Sequence, residues 1–194
     1  MQPTVSVALV PSHSAVDSEW ERAHYWKALM LAWGVKGRKA ASDAFFPGAN
    51  PCSVSMSTLP PRDVPHVLAL KSDGVRYALF LTTRPSPTGA GGAPVALMID
   101  RARNMYEVEI LAPEDYFVKQ TILEGELVWQ QPEERTLLYL VFDAVRIAGE
   151  SYLERPFSDR LEAATRCTRW SEELAPLDDV ETRVSETGCV VLVH

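Results

Sequence analysis

A lysine and an arginine flank an Asp-Gly pair in the stretch "KSDGVR", residues 71–76. The neutral amine of a lysine is a nucleophile, and the guanidinium of an arginine binds phosphate and carboxylate oxygens through a planar fork of donors. Asp-Gly between two apolar, β-prone runs is also a strong signal for a hairpin turn. Lys71 and Arg76 are therefore either the flanking charges of a turn from Ser72 to Val75 or part of a chemical site.

Two carboxylates lie close together in the stretch "TILEGELV". Glu124 and Glu126 alternate with Leu123 and Leu127, so the glutamates share one face of a predicted strand and the leucines share the other. Such a pair forms either a solvated sheet surface or a contact for a metal ion or a ribose.

Two further stretches carry residues that are ambiguous when each is taken alone. Asp100 and Arg101 in "ALMIDRARNMY" separate two apolar runs and predict a turn between strands, with Tyr106 on the second strand. Phe142 and Asp143 lie in "LYLVFDAV", where base rates favour a core position for the phenylalanine over a platform for a ligand.

The surrounding pattern predicts an α+β domain that could position these residues. A helix is expected over about residues 17–36, with Asp17 or Ser18 as N-cap and Gly34 or Gly37 at its end. The apolar stripe of this helix is predicted to contain Trp20, Ala23, Tyr25, Leu29, Met30 and Trp33. From residue 64 the chain changes to short β-prone runs, with a loop at 84–93 as a flexible hairpin tip, a helix from about residue 158 and a last strand within 187–194.

Composition excludes several classes of protein. With 194 residues, 46% hydrophobic and 23% charged, the chain has an ordinary globular composition. No apolar run reaches the roughly 18 residues of a membrane span, and the N-terminus has no signal-peptide pattern. The net charge of −7 excludes a basic nucleic-acid wrapper, so any nucleic-acid contact is expected to be local. Three widely spaced cysteines predict free thiols rather than a zinc site or a disulfide framework.

Taken together, the motifs resemble those of the covalent nucleotidyltransferases, and more specifically of the mRNA-capping guanylyltransferases. K-x-D-G-x-R is shared with ATP-dependent DNA and RNA ligases. Three other stretches favour the capping enzymes. "FFPGANPCSVS" is similar to the family's F-P-G-x-x-P-V-S, and "MIDRARNMY" to its I-D-R-x-x-x-x-Y. "LEGELV…YLVFDAVRIAGESYLERPFSDRL" is similar to D-G-E-L-V followed by F-D-h-x-x-x-x-G…R-P-h-x-x-R-L, with Glu124 where the family usually has Asp.

The resemblance covers about residues 45–161 and implies an antiparallel-sheet nucleotidyltransferase domain. Lys71 would attack the α-phosphate of GTP, and the resulting lysyl-GMP would be passed to the 5′-diphosphate end of an RNA. A neutral amine is required, and neighbouring cations lower the pKa of a lysine from its ordinary value of about 10.4. Mg²⁺ or Mn²⁺ would assist. The implied nucleotide contacts are Arg76 and Arg101 to ribose and phosphates, Glu126 to ribose or metal, Phe142 stacked on guanine, and Tyr106 supporting the pocket.

The chain also departs from the family pattern. No lysine follows Lys119, so the downstream K-x-K motif is missing, and no acidic-Gly-apolar run follows residue 161. We likewise expect residues 1–194 to lack the OB-fold domain of the family. We therefore expect residues 1–194 to be a partial nucleotidyltransferase domain from a longer capping enzyme.

Several alternatives stay open at this point. The chain could be half of a split enzyme whose partner chain supplies the missing motifs, a non-catalytic nucleotide- or protein-binding module, or an ATP-dependent ligase-type enzyme. Sheet edges left by missing strands would favour self-association. The resemblance implies a nuclear location, and composition alone implies a cytosolic or nuclear one.

Overall fold

The computed structural model describes residues 15–36, 46–50, 55, 63, 67, 72–86, 91–110, 112–129, 137–174 and 190–193. Its helices are α1 (Glu19–Ala32), α2 (Glu114–Val118) and α3 (Phe157–Leu174). Its strands are β1 (Val75–Thr83), β2 (Pro94–Ile99), β3 (Met105–Val108), β4 (Thr121–Trp129), β5 (Leu137–Ile147), β6 (Glu150–Ser151) and β7 (Val190–Val193). The predicted α+β class is confirmed.

The strands form one seven-stranded sheet in the order β3-β2-β1-β4-β5-β6, with β7 paired to β5. All neighbours in the main order are antiparallel, whereas β7 runs parallel to β5. The predicted last strand is therefore present, and its parallel direction is a feature that the sequence pattern did not predict. The predicted strand at 64–70 lies outside the described residues, apart from the single residue Val67.

β1 lies near the middle of the sheet and is buried on both faces from Tyr77 to Thr82. Strands in such a position need apolar residues in succession rather than in alternation, because each face packs against another layer. Odd-numbered residues of β1 such as Leu79 belong to a core beneath α2 and α3, which we call the α3-side core. Even-numbered residues such as Phe80 belong to a core beneath α1, which we call the α1-side core.

Helix α1 begins and ends near the residues that the sequence predicted. The Ser18 side chain accepts a hydrogen bond from the backbone N–H of Glu21 at 3.3 Å, and Gly34 follows the helix with φ +76°. A residue with positive φ just beyond a helix favours glycine, since glycine has no Cβ to clash.

The predicted apolar stripe of α1 is only partly correct. Tyr25, Trp26, Leu29, Met30, Ala32 and Trp33 are buried. Trp20, which was assigned to the stripe, is 45% exposed and contacts the ring of His24, and Ala23 is also exposed. At 3.6 residues per turn, Trp20 falls on the side of the helix opposite to the centre of the buried stripe.

The loop between β1 and β2 closes a hairpin, as predicted. The Arg84 N–H donates to the carbonyl of Ala93 at 2.9 Å, and β1 pairs with β2 from Ala78 to Thr83. Residues 87–90 of this loop lie outside the described residues. Helix α2 was not predicted from the sequence, because its five residues are too few to show a helical period.

The chemistry of the described cysteine agrees with a structural role. Cys167 is buried in the α3-side core, and burial raises the pKa of its thiol to about 12. Cys52 and Cys189 lie outside the described residues. Within the part of the chain that the structure describes, no helix has the length and hydrophobicity to cross a membrane.

Candidate nucleotide-binding cleft

A cleft of about 920 Å³ lies on the same face of the sheet as α1. Helix α1 covers one end of this face, and the cleft opens at the other end. Its walls come from the 46–50 loop, β1, the β2–β3 turn, β4, β5 and the start of α3. The lining residues are Ala49, Asn50, Val75, Arg76, Asp100, Arg101, Ala102, Glu124, Glu126, Phe142, Asp143, Phe157 and Arg160. Four residues with sequence-predicted binding roles, Arg76, Arg101, Glu126 and Phe142, therefore meet around one cavity.

Arg76 and Glu124 form an ion pair at the floor of the cleft. Their strands are neighbours, and the register places Arg76 opposite Glu126 and Ala78 opposite Glu124, so all four side chains share one face. Burial raises the pKa of Glu124 above its ordinary value, while the guanidinium of Arg76 lowers it in part. The side chains are 17% and 4% exposed, so the pair is far less screened than a surface ion pair.

The loop from the F-P-G stretch holds the other side of Arg76. Nη1 of Arg76 donates to the carbonyl of Ala49. A Cβ added to Gly48 would lie 2.9 Å from Nη2 of Arg76 and 2.6 Å from the ring of Phe46, and would also collide with Glu124. A larger residue at position 48 would therefore displace these side chains, whereas glycine leaves room for the Arg76 guanidinium between the loop and the sheet.

The chain enters β1 through Ser72, Asp73 and Gly74, the residues that follow Lys71. The hydroxyl of Ser72 donates to a carboxylate oxygen of Glu126 in the cleft wall. A Cβ on Gly74 would lie 2.6 Å from Cγ1 of Val128 and 2.7 Å from the carbonyl oxygen of Leu127, so this glycine is required for close approach to β4. Lys71 itself lies outside the described residues, and its catalytic role stays a prediction.

The alternative of a simple hairpin at Asp-Gly depends on residues just before Ser72, which lie outside the described part of the chain, and it stays a prediction. From Ala78 to Leu81, β1 pairs with β2 on one edge and with β4 on the other. Both neighbours come later in the chain, and from Val75 to Tyr77 the described pairing of β1 is with β4 alone.

A β-bulge in β5 points two consecutive side chains into the cleft. Val141 pairs with Gly125 and Asp143 pairs with Glu124, which leaves Phe142 as the extra residue. A bulge disturbs the alternation of faces, so Phe142 and Asp143 both line the cavity. Phe142 is half-buried, and the guanidinium carbon of Arg76 lies 5.4 Å from the centre of its ring. The structure thus places Phe142 in the cleft wall and not in either apolar core.

Asp143 and Arg160 form a second ion pair that the sequence did not predict. Nε of Arg160 donates to Oδ1 of Asp143 at 2.8 Å, and Nη2 donates to Oδ2 at 3.0 Å. This two-point pairing is the strongest geometry available to an arginine and a carboxylate. The signal that could have identified Arg160 is the "RPFSDR" stretch, whose second arginine falls near the start of α3.

The β2–β3 turn supplies Arg101, and the predicted turn at Asp100 is confirmed. The carboxylate of Asp100 accepts hydrogen bonds from the backbone N–H and the side-chain amide of Asn104, both at 2.8 Å. Arg101 is exposed at the mouth of the cleft. Asp100 therefore fixes the loop, which leaves the guanidinium of Arg101 at a position where a ligand could be contacted.

Tyr106 does not belong to this site, contrary to the sequence-based prediction. It pairs with Met98, which is part of the α3-side core, and packs against that core with its ring edge-on to Tyr77. Because side chains alternate along a strand, this register puts Tyr106 on the sheet face opposite to the cleft.

Comparison with known proteins agrees with the geometry. The family model described as "mRNA capping enzyme, catalytic domain" matches residues 22–172. The chain belongs to this capping-enzyme family. It is 32% identical over 155 residues to the mRNA-capping enzyme subunit alpha of Schizosaccharomyces pombe, and 32% identical over 135 residues to that of Saccharomyces cerevisiae. These alignments cover 74% and 60% of this chain.

The match to the capping-enzyme family includes every residue that lines the cleft. The chain spans about a third of the length of these relatives, since the alignments cover 36% of the S. pombe protein and 28% of the S. cerevisiae protein.

Proposed function

We propose that this chain is the guanylyltransferase part of an mRNA capping enzyme, with Lys71 as the nucleophile. The lysine nitrogen forms a bond to the α-phosphorus of GTP, the bond from that phosphorus to the bridging oxygen breaks, and pyrophosphate leaves. The 5′-diphosphate of an RNA then attacks the lysyl-GMP, which yields the GpppRNA cap and restores the lysine. This role implies a nuclear site of action.

The observation that carries the proposal is the convergence of complementary groups on one cleft in a capping-enzyme fold. A nucleotide presents a flat base, a ribose with hydroxyls, and anionic phosphates. The cleft presents the ring of Phe142, the carboxylate of Glu126 and the cations Arg76 and Arg101. Each pairs with one part of the nucleotide by stacking, hydrogen bonding or charge.

Arg76 is suited to orienting a bound nucleotide, and Arg101 is suited to attracting its phosphates into the cleft. Arg76 is held by Glu124 and by the Ala49 carbonyl, so little conformational entropy is lost when it contacts a ligand. Arg101 is exposed at the mouth of the cleft, where a long cationic side chain can meet the incoming phosphates.

A divalent cation fits this site as a shared ligand of protein and nucleotide. Among the described residues, no three His, Cys, Asp or Glu side chains are grouped to hold an ion by themselves. Mg²⁺ commonly binds one or two carboxylates together with substrate phosphates. Two of the cleft carboxylates, Glu124 and Asp143, are paired with arginines, and both oxygens of Asp100 accept hydrogen bonds from Asn104. Glu126 accepts from the hydroxyl of Ser72, and we propose this carboxylate as the Mg²⁺ or Mn²⁺ ligand. The ion would neutralise phosphate charge and stabilise the leaving pyrophosphate.

Intact-protein mass spectrometry tests the proposal. The chain is incubated with GTP or with ATP, in the presence of Mg²⁺ or Mn²⁺. A mass increase of one GMP with GTP, reversed by added pyrophosphate, is the expected result. An AMP adduct formed with ATP and not GTP would point to ligase-type chemistry. The lack of any adduct, together with nucleotide binding, would instead favour a binding module.

A further inference from the structure

Phe142 is the extra residue of the bulge in β5 and has no partner residue in the pairing with β4. The ladder between β4 and β5 pairs Val141 and Asp143 with successive residues of β4 and leaves Phe142 without a partner. The extra residue of a bulge is disconnected from the hydrogen-bonded ladder, and a change of register would turn its side chain toward another face. Contacts of the residues that flank the bulge can therefore help to keep the ring in the cleft wall.

Arg160 contacts the strand at the residue that follows the bulge. Two of its nitrogens donate to the Asp143 carboxylate, and the third, Nη1, donates to the carbonyl of Arg155 at 3.1 Å. The side chains of Arg160 and Asp143 are 24% and 15% exposed. One guanidinium therefore ties the bulged strand to the turn that precedes α3.

The apolar packing of α3 does not account for this arginine. The helix is anchored to the sheet by Ala163, Ala164 and Cys167, which belong to the α3-side core. Arg160 lines the cleft instead, with its guanidinium carbon 5.5 Å from the ring centre of Phe157. Two of the residues that it contacts, Asp143 and Phe157, also line the cavity.

We infer that Arg160 is a positioning residue for nucleotide binding. Through Asp143 it fixes the bulge that presents Phe142 to the base. This inference rests on the proposed function, because it assumes that Phe142 stacks on a purine. It assigns to Arg160 no contact with the reacting atoms.

A double-mutant cycle between residues 160 and 142 tests the inference. The probe is GMP, which carries the base and has no pyrophosphate to lose, so binding is measured without covalent chemistry. Arg160→Lys keeps the positive charge and removes the two-point pairing. We expect this change to weaken GMP binding by about 5-fold or more when Phe142 is present, and by less than about 2-fold in the Phe142→Ala background.

Arg155→Lys is the matched control. Arg155 forms an exposed ion pair with Glu150 and does not line the cleft, so this variant should bind GMP like the unmodified chain. Thermal melting of each variant verifies that it is folded at the assay temperature. If Arg160→Lys is not folded, Asp143→Asn replaces it in the same cycle.

The inference would be overturned if Arg160→Lys weakened GMP binding equally in the presence and absence of the Phe142 ring. It would also be overturned if Arg160→Lys changed GMP binding in neither background. Both results leave the proposed function intact if the GMP adduct forms from GTP. Failure of the unmodified chain to bind GMP and to form the adduct would overturn the proposed function, and the inference with it.

Discussion

The sheet face beneath α1 has two ends that differ in chemistry although the same strands form both. At the covered end, β1 contributes Ala78 and Phe80 and β4 contributes Ile122, all fully buried in the α1-side core. At the open end, the same strand face carries Arg76 and Glu124. A step of two residues along a strand moves from the apolar core to the charged cleft.

This difference shows how the fold separates stability from binding. The covered end excludes water, so its side chains contribute through burial and packing. The open end holds charges that would be costly to bury alone, and two of its carboxylates are paired with arginines: Glu124 with Arg76, and Asp143 with Arg160. On the opposite face of the sheet, neighbouring residues of the same strands, such as Tyr77 and Leu123, belong to the α3-side core.

Substitution at the covered end should have the largest effect on folding. Phe80→Ala removes a ring that is fully buried, and we expect the free energy of unfolding to fall by about 3–5 kcal/mol. Urea unfolding followed by tryptophan fluorescence measures this change. The GMP affinity of the molecules that remain folded should be unaltered. A large loss of GMP affinity in Phe80→Ala, with unchanged unfolding free energy, would show that the two ends do not have separate roles.

The same substitution at the open end should have the opposite profile. Phe142→Ala should weaken GMP binding by about 1–3 kcal/mol, since stacking of a base on an aromatic ring has this magnitude. Its cost in unfolding free energy should be well below that of Phe80→Ala, because Phe142 is only half-buried. Isothermal titration and urea unfolding give the two quantities. A loss of unfolding free energy as large as that of Phe80→Ala would show that Phe142 acts as a core residue.

The smallest effect is expected at Tyr106. Because this residue lies on the opposite face of the sheet, Tyr106→Phe should change the affinity for GMP by less than about 0.5 kcal/mol. Isothermal titration of GMP into Tyr106→Phe and into Phe142→Ala compares the two affinities. A loss similar to that of Phe142→Ala would show that the two faces are not independent.

The parts of the fold that follow from local pattern could be predicted from the sequence. The alternation of Glu124 and Glu126 with Leu123 and Leu127 correctly places the glutamates on one face and the leucines on the other. The cap at Ser18 follows from the hydrogen-bonding capacity of a serine hydroxyl.

The remaining features depend on contacts between distant parts of the chain. Alternation assigns Phe142 and Asp143 to opposite faces, and only the bulge in the pairing with β4 brings both into the cleft. The contact of Arg160 with Asp143 depends on how α3 docks. Tyr106 was misplaced because the register between β2 and β3 decides its face, and that register has no local signal.

The most direct test of the central claim is to locate the nucleotide on the chain. After reaction with GTP and a divalent cation, peptide mapping identifies the modified residue, and Lys71→Ala is compared with Lys119→Ala. Lys119 is a matched control, because it is exposed, pairs with Asp115 and does not line the cleft. We expect GMP on the peptide that contains Lys71, no adduct in Lys71→Ala, and full labelling of Lys119→Ala. Labelling that persists in folded Lys71→Ala would contradict it.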